Sequence, residues 1–207
     1  MTGKQRREQL LDVSRRIFAE KGFEGTSIEE IAARAEVSKP VVYEHFGGKE
    51  GVYAVVVDRE ITTLTDLLTA PLVEGGHPKV LLERTTLALL GYIEQHTDGF
   101  QILVRDSPVA QATGTFSSLI GDVATEVEHL LAAQFSKQGL DPAAAPIYSR
   151  MLVGMVALTG QHWLESRKPA KAEVAAHLVN LAWNGLVGLE RAPRLTGHHG
   201  DGTRGDA

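Results

Sequence analysis

Residues able to recognise another molecule are concentrated between positions 26 and 49 of the sequence. Lys39 is the only long cationic donor at the exposed start of a short predicted helix, from which a lysine can reach O6 and N7 of guanine. Val41 can contact the methyl group of thymine in the same groove. Thr26 and Lys49 mark the starts of two other predicted helices, where free backbone N–H groups favour a phosphate. These residue types and their spacing indicate contact with DNA.

Arrangements typical of an enzyme are absent from the sequence. The chain of 207 residues has no cysteine, no P-loop, no Gly-x-Gly-x-x-Gly after a strand, no Gly-x-Ser-x-Gly elbow and no paired-carboxylate motif. The histidines include no pair four residues apart on a helix and no His-Glu-x-x-His arrangement, so they do not form a metal set. We therefore expect a protein that is not an enzyme and that uses neither a cofactor nor a metal.

The composition is that of a globular protein, with 43% apolar and 23% charged residues. The net charge is −5, but residues 1–50 are electrically balanced and the excess lies in residues 51–207, so the charge permits local contact with phosphate. The absence of cysteine suits a reducing compartment. No uninterrupted apolar run reaches the roughly 20 residues that cross a bilayer, and the polar N-terminal MTGKQRREQL is not a signal peptide. We predict a soluble, cytoplasmic protein with no membrane partner.

Glycine and proline residues divide the chain into segments with helical periodicity, and no segment predicts a strand. We therefore predict an all-α fold of about nine helices. The expected organisation is a three-helix DNA-binding domain at residues 1–50, a larger helical domain at residues 51–191 and a disordered tail at residues 192–207. The tail has no apolar period and many glycines.

The first two predicted helices have the features expected of a helix-turn-helix domain. Leu10, Ile17 and Phe18 repeat at helical spacing and form the inward face of a first helix, which Gly22 ends. Either of two overlapping capping boxes can begin the second helix: Thr26 with Glu29, or Ser27 with Glu30. The residues that this second helix is expected to bury are Ile28, Ile31, Ala32 and Ala35.

A third helix is predicted from Lys39 to His45, after a turn at Glu36–Val37. Ser38 is a candidate N-cap for it, and Pro40 falls in the first turn, where a missing N–H does no harm. Two short helices joined by about four residues and braced by a longer one have the geometry of a helix-turn-helix.

The run TSIEEIAARAEVSKPVVYEHFGGKEGVY closely resembles the DNA-binding domain of TetR-family bacterial repressors, and the resemblance covers roughly residues 8–55. It implies an all-helical homodimer that reads a palindromic operator and a C-terminal domain that binds a small effector and dimerises. It also implies that Ser38, Lys39, Pro40 and Val41 open the recognition helix in the major groove. By the same resemblance, Tyr43, His45 and Lys49 contact phosphate, and Thr26 caps the second helix beside the DNA backbone.

One position departs from the family pattern. The family usually has glycine at the turn position that Glu36 occupies, and a positive φ there would cost a glutamate on the order of 1 kcal/mol. The third helix also lacks an arginine, asparagine or glutamine, so the sequence does not predict which bases it reads.

Simpler interpretations of the same residues stay open beside these roles. Tyr43 can pack against Phe46 while its hydroxyl reaches a phosphate, or only pack. His45 and Lys39 can be ordinary solvated side chains. The basic cluster Lys4 to Arg7 is either a solvated helix start or an arm that adds phosphate contacts.

The C-terminal part carries two apolar stripes that suit a four-helix dimer interface. Their members are Ile147, Met151, Met155, Leu158 and His162, then Val174, Leu178, Leu181, Gly185 and Leu189. The resemblance implies the same arrangement and an effector pocket among the middle helices, although each candidate can equally be core or surface. The abundance of aliphatic residues favours an apolar effector. The pocket candidates are Tyr92, His96, Phe100, Phe116, His129, Met151, Met155, Gln161, His162 and Trp163.

The sequence therefore predicts a ligand-responsive repressor that is a dimer on DNA and leaves the operator when a small effector binds. The alternative is a transcriptional activator, or a DNA-binding regulator controlled by a protein partner without a small-molecule effector.

Overall fold

The computed structural model describes residues 2–105 and 116–193. Within these residues the backbone forms nine α-helices, one short 3-10 turn and no strand, which confirms the all-α prediction. The predicted disordered tail lies, apart from residues 192 and 193, outside the described residues. The helices are α1 (Gly3–Lys21), α2 (Ile28–Arg34), α3 (Lys39–Phe46), α4 (Lys49–Glu74), α5 (Pro78–Gln95), α6 (Thr97–Val104), α7 (Phe116–Gln138), α8 (Ala145–Ser166) and α9 (Lys171–Val187).

Helix α1 begins at Gly3, so the N-terminal basic residues are helical and do not form an extended arm. Thr2 caps it in a reciprocal capping box, because its hydroxyl accepts from the Gln5 backbone N–H while the Gln5 side chain accepts from the Thr2 N–H. The basic cluster Lys4 to Arg7 therefore lies in the first turns of a helix. A helix start is therefore observed, and phosphate contact by this cluster stays a prediction.

The helices of the N-terminal part share one core with the rest of the chain. Leu10, Ile17 and Phe18 are buried as predicted, and the Phe18 ring meets the Tyr53 ring edge-on at a centroid distance of 4.9 Å. Helix α1 also packs against α4 and α6. The Arg105 side chain, just past α6, donates to the carbonyl of Ala19 at 3.1 Å and so supplies a donor to the C-terminal turn of α1. The predicted domain boundary after residue 50 falls within the first turn of α4, which is continuous across it.

A buried polar cluster joins α1, α4 and α5. The Tyr92 hydroxyl donates to Oε2 of Glu60 at 2.5 Å, and Nη1 of Arg15 lies 3.4 Å from Oε1 of the same carboxylate. Glu60 is only 7% exposed, so these two hydrogen-bonding partners replace the water that its carboxylate loses on burial. Burial, followed by the nearby Glu60 carboxylate, raises the pKa of the Tyr92 hydroxyl, which therefore stays protonated and able to donate.

The outward face of α8 and α9 is unusually apolar. The large side chains more than half exposed there are Ile147, Met151, Leu158, Leu181 and Val187. Among the described residues, one stretch, Pro142–Ser166, is long and apolar enough to cross a membrane by length and composition alone. The first predicted stripe lies on this face, but the second divides, because Val174 and Leu178 are buried in the core while Leu181 and Gly185 are exposed.

Candidate DNA-binding site

Helices α2 and α3 are joined by the four residues 35–38, as a helix-turn-helix requires. Glu36 has a φ of 54°, so the departure noted in the sequence does fall at a left-handed position. The cost is on the order of 1 kcal/mol. The turn is held by the Val37 backbone N–H, which donates to the carbonyl of Ala32 at 2.9 Å.

Contacts on both sides fix the position of α3. Val42 is fully buried, and Val41 is half-buried and packs against the core, so only part of the Val41 side chain faces outward. On the other side, a Cβ added to Gly51 of α4 would lie 1.9 Å from the Phe46 carbonyl oxygen. The end of α3 therefore rests directly on the first turn of α4, which only a glycine at position 51 permits.

The exposed start of α3 carries an ion pair. As predicted, Ser38 is the N-cap residue, although its side chain makes no capping hydrogen bond, and Pro40 lies in the first turn. The Lys39 ammonium donates to the Glu29 carboxylate of α2, and both side chains are more than half exposed. This hydrogen bond lowers the pKa of Glu29. An exposed pair of this kind is weak, so Lys39 can exchange Glu29 for a group on DNA.

The three residues predicted to contact phosphate differ in how accessible their polar groups are. Tyr43 is 53% exposed, so its hydroxyl is not confined to packing. His45 is half-buried, with its ring centroid 6.1 Å from that of Phe46. The Lys49 ammonium donates to the Phe23 carbonyl at 3.1 Å and lies 4.2 Å above the Phe23 ring. Lys49 does begin α4 as predicted, but a phosphate would have to share or displace these contacts.

Thr26 does not cap α2, and this part of the prediction is wrong. Thr26 is 3% exposed, and its hydroxyl donates to the Gly22 carbonyl at 2.7 Å, within the loop after α1. Ser27 is the N-cap, with its hydroxyl accepting from the Glu30 backbone N–H at 3.2 Å. The Glu30 carboxylate binds the Lys21 ammonium at 2.7 Å. Of the two overlapping boxes, the second therefore supplies the cap, and Thr26 is unavailable to a phosphate.

A cavity of about 300 Å³ lies in the C-terminal part, between α4, α5, α7, α8 and α9. Leucine, isoleucine and valine side chains form most of its wall, and Thr85 and Thr86 contribute two hydroxyls. In its wall, Gly76 and Lys137 are exposed, whereas Leu89 is buried. The volume is at the lower end of the range for small-molecule pockets.

None of the ten predicted pocket residues lines this cavity, and their role in binding an effector stays a prediction. Tyr92, Phe100 and Phe116 pack edge-on against one another and fill the core. The buried Trp163 donates its indole N–H to the Pro169 carbonyl at 2.8 Å. His96 stacks on Tyr92. Met155 and Gln161 are half-buried outside the cavity wall, and His129, Met151 and His162 are exposed.

Large aromatic side chains do not indicate this cavity, because its wall is mainly aliphatic. The signal present in the sequence is the run of Leu81, Leu82, Thr85, Thr86 and Leu89, which places two threonines within an otherwise apolar helix face. That spacing alone does not distinguish a cavity wall from a filled core.

Two family models match the chain. Residues 10–56 match bacterial regulatory proteins of the tetR family, and residues 78–185 match tetracyclin repressor-like C-terminal domains. The first range contains the complete helix-turn-helix, and the second contains most of the cavity wall.

Two of three similar proteins match over most of the chain, and the third matches over a shorter segment. The transcriptional activator FasR of Mycolicibacterium smegmatis is 28% identical, over 88% of this chain and 83% of that protein. A transcriptional repressor of Mycobacterium tuberculosis is 42% identical over 59 residues, which are 28% of this chain and 31% of that protein. The crystal structure of a TetR-like regulator from Rhodococcus sp. RHA1 is 27% identical with a TM-score of 0.68, covering 89% of this chain and 97% of that one.

Proposed function

Because the chain belongs to the TetR family of bacterial transcriptional regulators, we propose that it is a homodimeric repressor released from a palindromic operator by a small apolar effector. As a member of this family it is a DNA-binding transcriptional regulator and not an enzyme. The proposed place of action is the cytoplasm, and the proposed domains are residues 1–50 for DNA and 51–191 for the effector and dimer.

One observation carries this proposal: a single helix, α4, connects the helix-turn-helix to the cavity. Its first turn supports the end of α3 through Gly51, and its far end contributes Leu68 and Leu72 to the cavity wall. A ligand that binds better to one placement of α4 shifts the population toward that placement. The recognition helix then leaves its DNA-binding position, because α3 rests on α4.

The apolar outward face of α8 and α9 supports a dimer. A second copy would cover Ile147, Met151, Leu158 and Leu181, and Gly154 and Gly185 have open space around them that permits close helix approach. A twofold arrangement would place the two α3 helices in successive major grooves, about 34–36 Å apart. This is the reason for expecting a palindromic operator.

The residues proposed to contact DNA are Ser38, Lys39, Pro40, Val41, Tyr43, His45 and Lys49, and Lys39 is the one proposed to read a base. We expect Lys39→Ala to weaken operator binding by about 1–3 kcal/mol and random DNA much less. Lys49→Ala should weaken both DNAs alike and flatten the salt dependence, because a phosphate contact carries no sequence information.

Fluorescence anisotropy with operator and random duplexes, over a range of salt concentrations, measures both effects. Lys79→Ala, an exposed lysine at the start of α5, is the matched control and should change neither affinity. Equal losses on the two DNAs for Lys39→Ala would remove its base-reading role.

The effector role of the cavity is tested by filling it. Ala157 lies in the wall and is 4% exposed, so Ala157→Phe places a ring in the space that a ligand would occupy. We expect this variant to bind operator, and to remain bound at effector concentrations that release the wild type. Ala172→Phe adds the same ring at an exposed position of α9 and should respond normally. Normal release of Ala157→Phe by the effector would place the effector site elsewhere.

Activation is the second candidate function, because FasR, which is similar over most of the chain, is named an activator. Transcription from the operator-bearing promoter, with and without the gene for this protein, separates the two. Higher expression in the deletion strain supports repression, and lower expression supports activation. If compounds that bind in the cavity leave operator affinity unchanged, control by a protein partner is indicated instead.

A further inference from the structure

Two residues of the cavity wall carry hydroxyls that have no hydrogen-bond partner among the described residues. Oγ1 of Thr86 is buried on a side chain that is 0% exposed, and it has no hydrogen-bond partner. The buried Oγ1 of Thr85 is also unpartnered. Both residues line the cavity. A buried hydroxyl without a hydrogen-bond partner is destabilising. Two neighbouring hydroxyls of this kind in the wall of a cavity therefore point to a ligand that supplies the missing hydrogen bonds.

Several other hydroxyls on helices of the described residues have a partner within their own chain segment. Thr63, Thr69, Thr97, Thr125 and Ser136 each donate to the carbonyl four residues earlier, at distances of 2.8–3.1 Å. This local hydrogen bond is the usual way for a threonine within a helix to satisfy its hydroxyl. Thr85 and Thr86 lack such a bond, so neither hydroxyl is satisfied by its own helix.

The shape and charge of the cavity limit what can bind there. On α7 its wall extends from Ile120 to Lys137, about 26 Å at the helical rise per residue. Lys137 is the only charged side chain among the described residues of the wall, and it is exposed. An ionised group would be costly in the buried part, where Thr86 lies. A ligand atom that bonded Thr86 would therefore be uncharged.

We propose that the effector is an extended aliphatic molecule with an uncharged oxygen, a hydroxyl or a carbonyl, in its buried part, hydrogen-bonded by Thr86 and Thr85. This inference rests on the proposed function, since it takes the cavity as the effector site. A threonine hydroxyl both donates and accepts, so it can bind either kind of oxygen.

The test compares a medium-chain fatty acid with its hydroxy and oxo derivatives substituted at successive carbons. Calorimetric titration is performed on the full-length wild type, on the double variant Thr85→Val/Thr86→Val, and on Thr63→Val, an exposed control on α4. We expect the wild type and the control to bind at least one derivative about 3- to 10-fold more tightly than the parent acid. The double variant should bind the parent and that derivative equally.

A second measurement needs no ligand. Because valine replaces an unsatisfied hydroxyl by a methyl group of similar size, the ligand-free double variant should melt no lower than the wild type. A lower melting temperature would mean that the hydroxyls have partners within the protein, and would overturn the inference. Three calorimetric results would also overturn the inference. The wild type could bind all derivatives no more tightly than the parent acid, the double variant could retain the wild-type preference, or no probe could bind at all. If a derivative binds through Thr86 but leaves operator affinity unchanged, the inferred ligand chemistry of the cavity stands, but the proposed effector role of the cavity fails.

Discussion

A protein carrying Leu158→Asp and Leu181→Asp is expected to be a monomer that binds operator DNA at least about 100-fold more weakly than the wild type. Both leucines are 67% exposed on the apolar face of α8 and α9, so aspartates there leave the fold intact. In a dimer, the same aspartates would be buried without partners, which is strongly unfavourable. A monomer presents one recognition helix, and its affinity falls toward that of nonspecific binding.

Sedimentation equilibrium gives the oligomeric state, and anisotropy with an operator duplex gives the affinity. Val73→Asp is the matched control, because Val73 is 83% exposed on α4, outside this face. It should remain dimeric and bind normally. A double variant that stays dimeric would exclude this face as the interface, and a monomer with wild-type affinity would exclude the dimer as the operator-binding form.

Gly99→Ala is expected to lower the free energy of unfolding by about 3 kcal/mol, because it disrupts the buried Glu60 cluster. A Cβ at position 99 would lie 2.0 Å from Oε2 of Glu60 and 2.9 Å from the Tyr92 hydroxyl. The carboxylate would have to move away from Tyr92, its hydrogen-bond donor, in a region without solvent. One partner of a buried charge is then lost, which is more costly than losing an exposed ion pair.

Urea unfolding followed by circular dichroism measures this change. Gly91→Ala is the matched control, since it also adds a methyl group to a helical glycine but has no atom within 4 Å of the new Cβ. It should raise the stability, by at most about 1 kcal/mol, through better helix propensity. Equal stabilities of the two variants would show that Gly99 is not required for the close approach of α6 to Glu60.

The sequence by itself determined the helix-turn-helix closely. The third helix, predicted from Lys39 to His45, is observed as Lys39–Phe46, and Ser38 and Pro40 have their predicted places at its start. Such features are readable because helix starts, turns and inward faces depend on residues within about four positions of one another. The resemblance of the run that begins at Thr26 also identified the family, which the family models confirm.

The tertiary structure decided which residues surround a cavity and which face outward. Tyr92 was a pocket candidate, but it hydrogen-bonds Glu60, which is 32 residues away. Leu178 and Leu181 belong to one predicted stripe, yet only Leu178 is buried. Helical periodicity shows which residues share a face. Whether that face meets another helix closely, leaves a gap or stays open depends on how segments far apart in the chain are spaced, and that spacing is set by packing across the whole core.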